Sequence, residues 1–191
     1  MALKHLTSSV FVFRRCTDGW RTGLIRHPRL HKMMIPGGHV EPEETSAEAA
    51  LREVAEETGL AVTLVSPPAA PVPDGYRGRR VALPWWIAEY QVKPDNHLDV
   101  AHVHVDHLYV ALADGTPPPG VSPPEPAHQF GWYAPGDLPG LDMFDDARLL
   151  ARLLLTGLSS AADGTNAAAA AESLVAGLRG HTGDSPGGSR P

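Results

Sequence analysis

Glu53, Glu56 and Glu57 stand at i, i+3 and i+4, the separations that bring side chains together on one face of a helix. Carboxylates that close repel one another, so a positive group must sit among them or one must keep its proton. Arg52 is a single neighbour and cannot neutralise all three. Hard oxygen ligands in a cluster suit Mg²⁺ or Mn²⁺. Upstream, Pro36-Gly37-Gly38 makes a tight loop whose backbone carbonyl can face the same ion. Such an ion can bind a diphosphate, offset its charge and activate a water. The plainer reading of an acidic run is a solvated helix face with i,i+4 pairs. The full spacing and the glycine loop weigh against it.

The elements that must position these groups can be read around them. Thr45 with Glu48 three residues on is a capping box, so a helix starts there. Ala, Leu, Arg and Glu fill its interior. Gly59 stands where a left-handed residue would end it. Ala47, Ala50, Leu51, Val54 and Thr58 form the face expected to pack on a sheet.

Gly38, Glu44, Arg52, Glu53, Val54, Glu56, Glu57, Gly59 and Leu60 follow the spacing G-x5-E-x7-R-E-U-x-E-E-x-G-U, with U aliphatic. This is the Nudix box with every constrained position in agreement, and the chain resembles the Nudix hydrolase family. The specific likeness covers residues 38–60 and a looser one most of residues 5–157. The resemblance implies an α/β fold, an α/β/α sandwich around a mixed β-sheet. It implies divalent-metal-dependent hydrolysis of a diphosphate linkage in a nucleoside diphosphate joined to another moiety. By motif position, the Gly38 carbonyl and the carboxylates of Glu53, Glu56 and Glu57 would hold the Mg²⁺ or Mn²⁺. Arg52 would orient the glutamates, and Glu44 would brace the loop–helix junction or reach a metal through water. Water would attack phosphorus, with one of the box glutamates Glu53, Glu56 or Glu57, or Asp106 or Glu125 outside the box, as the base.

The substrate class stays open at this level. Tyr76, sixteen residues after Leu60, looks like the tyrosine of dinucleoside-polyphosphate hydrolases. Nucleoside triphosphates, oxidised nucleotides and ADP-sugars remain alternatives. So does a different class, a Nudix-fold regulator that binds a nucleotide without cleaving it.

The rest of the chain supplies strands and candidate substrate contacts. Residues 6–15 and 20–27 read as a hairpin around the Thr17-Asp18-Gly19 turn. Arg26 at its end can reach phosphate or base. Val81–Val92 reads as a strand carrying Trp85 and Trp86, suited to stacking on a base, to core packing or to a homodimer interface. In the strand 101–113, His102, His104 and Asp106 share one face. That set can bind a transition metal, line a substrate pocket or form a polar strand face. Residues 114–126 hold six prolines and two glycines, a loop that contains Glu125. Phe130–Tyr133 reads as a short strand, and Phe144–Leu155 as a helix with Leu149, Leu150, Leu153 and Leu154 inward.

Composition bounds the class. The chain has 191 residues, one cysteine and a net charge of −6. That favours one domain, placed at 1–157, in a reducing, cytoplasmic compartment. A small-residue tail follows at 158–191, with a short helix expected near 166–179 and a disordered end. Scattered basic residues argue against nucleic acid as partner, and no apolar run reaches membrane-spanning length. The expected partner is a nucleotide-like small molecule.

Overall fold

A computed structural model describes residues 3–95, 98–113, 129–160 and 166–181. Strand β1 (Lys4–Cys16) is the hub of a mixed sheet. Its outer half pairs antiparallel with β2 (Gly19–Arg26), its inner half with β4 (Gly37–His39). Its other edge pairs in parallel with β7 (His102–Ala113). The short β3 (Met33–Met34) and β8 (Gln129–Tyr133) pair with β2, while β5 (Val62–Leu64) and β6 (Trp86–Val92) share the far edge of β7. The hairpin turn closes on Gly19, whose φ of 125° is open to glycine.

Alternation along β1 separates the two faces. Val10 and Val12 meet Ala47, Ala50 and Val54 of α1 (Ser46–Thr58), with Tyr109 and Ala111 of β7 beside them. Phe11 and Phe13 point the other way, into the core shared with α2 (Asp145–Ser159) and α3 (Ala167–His181). The fold is thus an α/β/α sandwich around a mixed sheet. α2 runs through residue 157, and Ala170 and Leu174 of α3 are buried in the same core as Leu154 and Leu158. Among the described residues, no helix is long and apolar enough to cross a membrane.

Three packing expectations are corrected. On α1, Leu51 is 40% exposed while Glu57 is only 9% exposed, so the buried stripe is rotated towards the glutamates. On α2, Leu149 is 66% exposed, and Ala151, Leu154, Leu155 and Leu158 face inward because α3 covers the C-terminal turns of that side. The strand expected from Val81 begins only at Trp86, after Pro84, which has no N–H to give a ladder. Trp85 and Trp86 are partly buried against the core, and the Trp85 indole donates to the Val65 carbonyl.

Candidate active site

The box folds as a loop–helix unit fixed at both ends. The Thr45 side chain accepts the Glu48 N–H, and the Glu48 carboxylate accepts the Thr45 N–H, completing the capping box. Gly59 ends α1 at φ 71°, a left-handed value that penalises any residue with a Cβ. Ser8 on β1 donates to the Ser46 carbonyl at 2.8 Å, tying the first turn to the sheet.

Arg52 is the centre of the charge network. Its Nη2 donates to Glu44 Oε1 at 2.7 Å and its Nε to Glu44 Oε2 at 3.2 Å, a two-point fork. Its Nη1 donates to Glu53 at 2.8 Å and to Glu56 at 3.0 Å. Nη2 also donates to the His39 carbonyl at 3.0 Å. The fork holds the Glu44 carboxyl below its usual range, while Glu44 in turn accepts the Glu41 N–H. One guanidinium thus fixes three carboxylates and the end of β4.

Glu57 is held differently. Its Oε2 accepts the Gly37 N–H at 2.9 Å. Burial pushes its carboxyl up to about 8, and the nearby Glu53 and Glu56 charges add to the rise. Burial also raises Glu53, against the opposing pull of Arg52. Gly38 lies against Glu53 so closely that an added Cβ would sit 2.3 Å from Oε1. The absent side chain is what lets the β4 backbone and the carboxylates share one space.

This set fits a hard divalent cation. The Gly38 backbone, Glu53, Glu56 and Glu57 offer oxygen donors, and the single guanidinium leaves the group net negative. Two of the carboxyls are buried enough that their charged forms call for further positive charge.

The remaining sequence candidates separate from this centre. Asp106 is 7% exposed and accepts a bond from Thr7 at 3.0 Å, on the sheet face away from α1. Burial raises its carboxyl, against the pull of the Ser9 and Thr7 hydroxyls. It is therefore placed with the sheet floor and not beside Glu53. His104 lies on that same far face, within an imidazole cluster. Arg26 is exposed at the end of β2, and its charge acts on Asp142. Tyr76 is 62% exposed in the β5–β6 loop. Arg79 of the same loop donates to Glu48 at 3.0 Å, which brings that loop over the start of α1. Glu125 lies outside the described residues. Sequence reasoning missed His39 and Asp95, which join His102 and His104. The available signal was that His39 follows Gly38 on a strand, so its side chain must take the opposite face.

Comparison with known proteins accords with this geometry. Residues 5–153 match the family model of the NUDIX domain. A NUDIX-family hydrolase from Clostridium perfringens is similar at 26% identity and TM-score 0.62, over 81% of this chain and 97% of that one. The Nudix hydrolase RenU from M. smegmatis is similar in fold, at 12% identity and TM-score 0.52, over 85% and 89% of the two chains. So is the NUDIX domain of Shewanella oneidensis NrtR, complexed with ADP ribose, at 16% identity and TM-score 0.50, over 79% and 86%. No curated protein matches the chain. With the box intact, its helix capped as the spacing requires and most of its length matched, the chain belongs to the NUDIX domain family.

Proposed function

We propose that the protein hydrolyses a diphosphate linkage in a nucleoside diphosphate joined to another moiety: a nucleoside triphosphate or oxidised nucleotide, an ADP-sugar or a dinucleoside polyphosphate. The observation that carries this reading is the grouping of Glu53, Glu56 and Glu57 on α1 beside the glycine loop, with Arg52 bridging Glu53 and Glu56, Glu53 against Gly38 and Glu57 on the Gly37 N–H. A non-catalytic binder has no need of that complete set.

Mg²⁺, or Mn²⁺ in its place, would be held by the Gly38 carbonyl, Glu53, Glu56 and Glu57. Bound there it supplies Lewis-acid stabilisation of phosphoryl charge and lowers the pKa of a water. The chain's own residues do the rest. Arg52 locks Glu53 and Glu56 in place by charge-assisted bonds, so the carboxylates need no reorganisation when substrate arrives. Burial keeps Glu53 more basic than a solvated glutamate, which suits it to take the proton of the attacking water. Asp106, on the other face of the sheet, is the weaker choice of base. Glu44 acts through Arg52 as a positioning residue.

The test is a substrate panel with Mg²⁺: nucleoside triphosphates including 8-oxo-dGTP, ADP-ribose, nucleotide sugars and dinucleoside polyphosphates. Products are resolved by chromatography, with Glu57→Gln as the blank. Turnover of one compound that disappears in the variant is expected, and it fixes the bond cut. Tight nucleotide binding with no turnover of any compound would overturn hydrolysis.

A further inference from the structure

The sheet face away from α1 carries a second cluster of donor atoms, and its chemistry differs from that of the box. His39, Asp95, His102 and His104 each present one ligand atom, and the four atoms lie within 4.8 Å of one another. Three segments converge to make it. Register places His104 on β7 beside His5 on β1, and His39 on β4 beside Thr7. The turn before β7 brings Asp95, fixed by Leu98: the Asp95 N–H donates to the Leu98 carbonyl at 2.9 Å, and Asp95 Oδ1 accepts the Leu98 N–H at 3.0 Å.

The spacing is that of a small coordination sphere. An ion with bonds of about 2.0–2.1 Å in a tetrahedron holds its ligand atoms about 3.3–3.4 Å apart. Here His102 Nε2 lies 3.0 Å from His104 Nε2 and 3.5 Å from Asp95 Oδ2, and His104 Nε2 lies 3.8 Å from the same oxygen. The His39 and His104 rings meet edge to face with centroids 4.8 Å apart. An outer layer is present too. His102 Nδ1 is 3.0 Å from the Val100 carbonyl, so Nδ1–H donates there and the lone pair of the neutral ring falls on Nε2, towards the cluster. The His102 and Asp95 side chains are 0% and 5% exposed, and that of His104 is 20% exposed, so the centre is enclosed with a path to solvent at one side.

From this geometry we infer that His39, Asp95, His102 and His104 form a second metal site, for a zinc-class transition ion, on the far side of the sheet from the glutamates. Imidazole nitrogens with one carboxylate select such an ion over Mg²⁺. Four protein ligands make the site closed and structural, not an open catalytic one. Its ion would clasp β4, β7 and the Asp95 turn. Because the His39 carbonyl also accepts from Arg52, the same ion would steady the end of the box loop from behind. The inference stands whether or not the proposed hydrolysis does.

Full-length protein stripped with chelator is loaded with Zn²⁺ in excess Mg²⁺, and the zinc retained after gel filtration is counted. One zinc per chain is expected, with an X-ray absorption spectrum showing imidazole scattering in the wild type. His104→Gln and Asp95→Asn, checked as folded by circular dichroism, are each expected to weaken zinc binding by more than about 100-fold, since even outer-layer partners account for about 10–100-fold. Zinc that is not retained, an oxygen-only coordination shell, or folded variants that keep zinc as tightly as wild type would each overturn the site. The absorption spectrum needs no variant, so it decides the matter even where a substitution disrupts folding.

Discussion

The two polar centres of this molecule share a strand and little else. On one face, Glu44, Glu53 and Glu56 surround Arg52 with Glu57 held beside them by the Gly37 N–H, all four contributed by the stretch from Glu44 to Glu57. On the other face, three imidazoles and a carboxylate meet from β4, β7 and a turn. β4 serves both. Gly38 turns towards Glu53, and His39, the next residue, turns towards His104. A strand's period of two is what lets adjacent residues serve opposite faces. The two sets differ in the ion they would suit: oxygen donors with a guanidinium a hard ion, nitrogen donors a softer one.

The sharpest way to break this division is to remove a donor from one side only. Glu57→Gln keeps the size of the side chain and its Gly37 contact but removes the charge. If the proposed hydrolysis holds, it is expected to fall by about 10³–10⁵-fold, since the variant withdraws one of the proposed metal ligands. Zinc retention is expected to be unchanged. A Glu57→Gln protein that lost zinc equally would show that the two centres are one.

Protons give a second handle, about as large. The folded Glu57 carboxyl sits at about 8, above its ordinary 4.5, chiefly through burial. A raised acid stabilises the fold while protonated. Its contribution is complete below about pH 4.5 and is lost as pH rises through about 8. Without metal the loss is on the order of 4 kcal/mol, and Glu53 pulls in the same direction. Thermal unfolding in chelator is expected to shift to lower temperature between pH 5 and pH 9. Glu57→Gln flattens that slope, and saturating Mg²⁺ opposes it at high pH. A wild-type slope no steeper than that of Glu57→Gln would contradict burial as the cause.

Gly38→Ala tests the shared strand. The new Cβ would lie 2.3 Å from Glu53 Oε1, so either the carboxylate or β4 must move. Overpacking of this kind costs about 1–3 kcal/mol of stability. Activity is expected to fall by about 10–100-fold, because a displacement near 1 Å in catalytic groups has that effect. If β4 gives way, His39 moves with it and zinc affinity falls as well. If Glu53 gives way, zinc affinity holds. Measuring both in one variant tells which side of the strand is stiffer.

How much of this could be read from sequence differs between the centres for a physical reason. The box is contiguous, so its spacing fixes a capped helix, and the helix fixes which glutamates meet Arg52. The far-face cluster depends on sheet register. Alternation placed His102, His104 and Asp106 together, but the cluster takes Asp95 in place of Asp106. Asp106 sits one step further into the sheet, where Thr7 holds it. Nothing local announces that the Asp95 turn folds back over His102. Helix rotation was likewise hidden, because apolar periodicity assumes that carboxylates stay outside, and Glu57 does not.

That rotation supplies the smallest and cleanest test. Periodicity alone makes Leu51 and Val54 equal members of the core face of α1. In the fold, Val54 is 0% exposed among Val10, Val12 and Tyr109, while Leu51 is 40% exposed. Val54→Ala is expected to cost about 1–3 kcal/mol, from lost burial and the cavity it leaves. Leu51→Ala is expected to stay within about 0.5–1 kcal/mol despite deleting more carbon, because the helix gains a better former and little buried area is lost. Denaturant midpoints of the two variants measure the difference. Equal losses would mean that the stripe is centred where the periodicity puts it. Glu57 would then be less buried than the geometry shows, and the pH dependence of the metal-free protein would shrink with it.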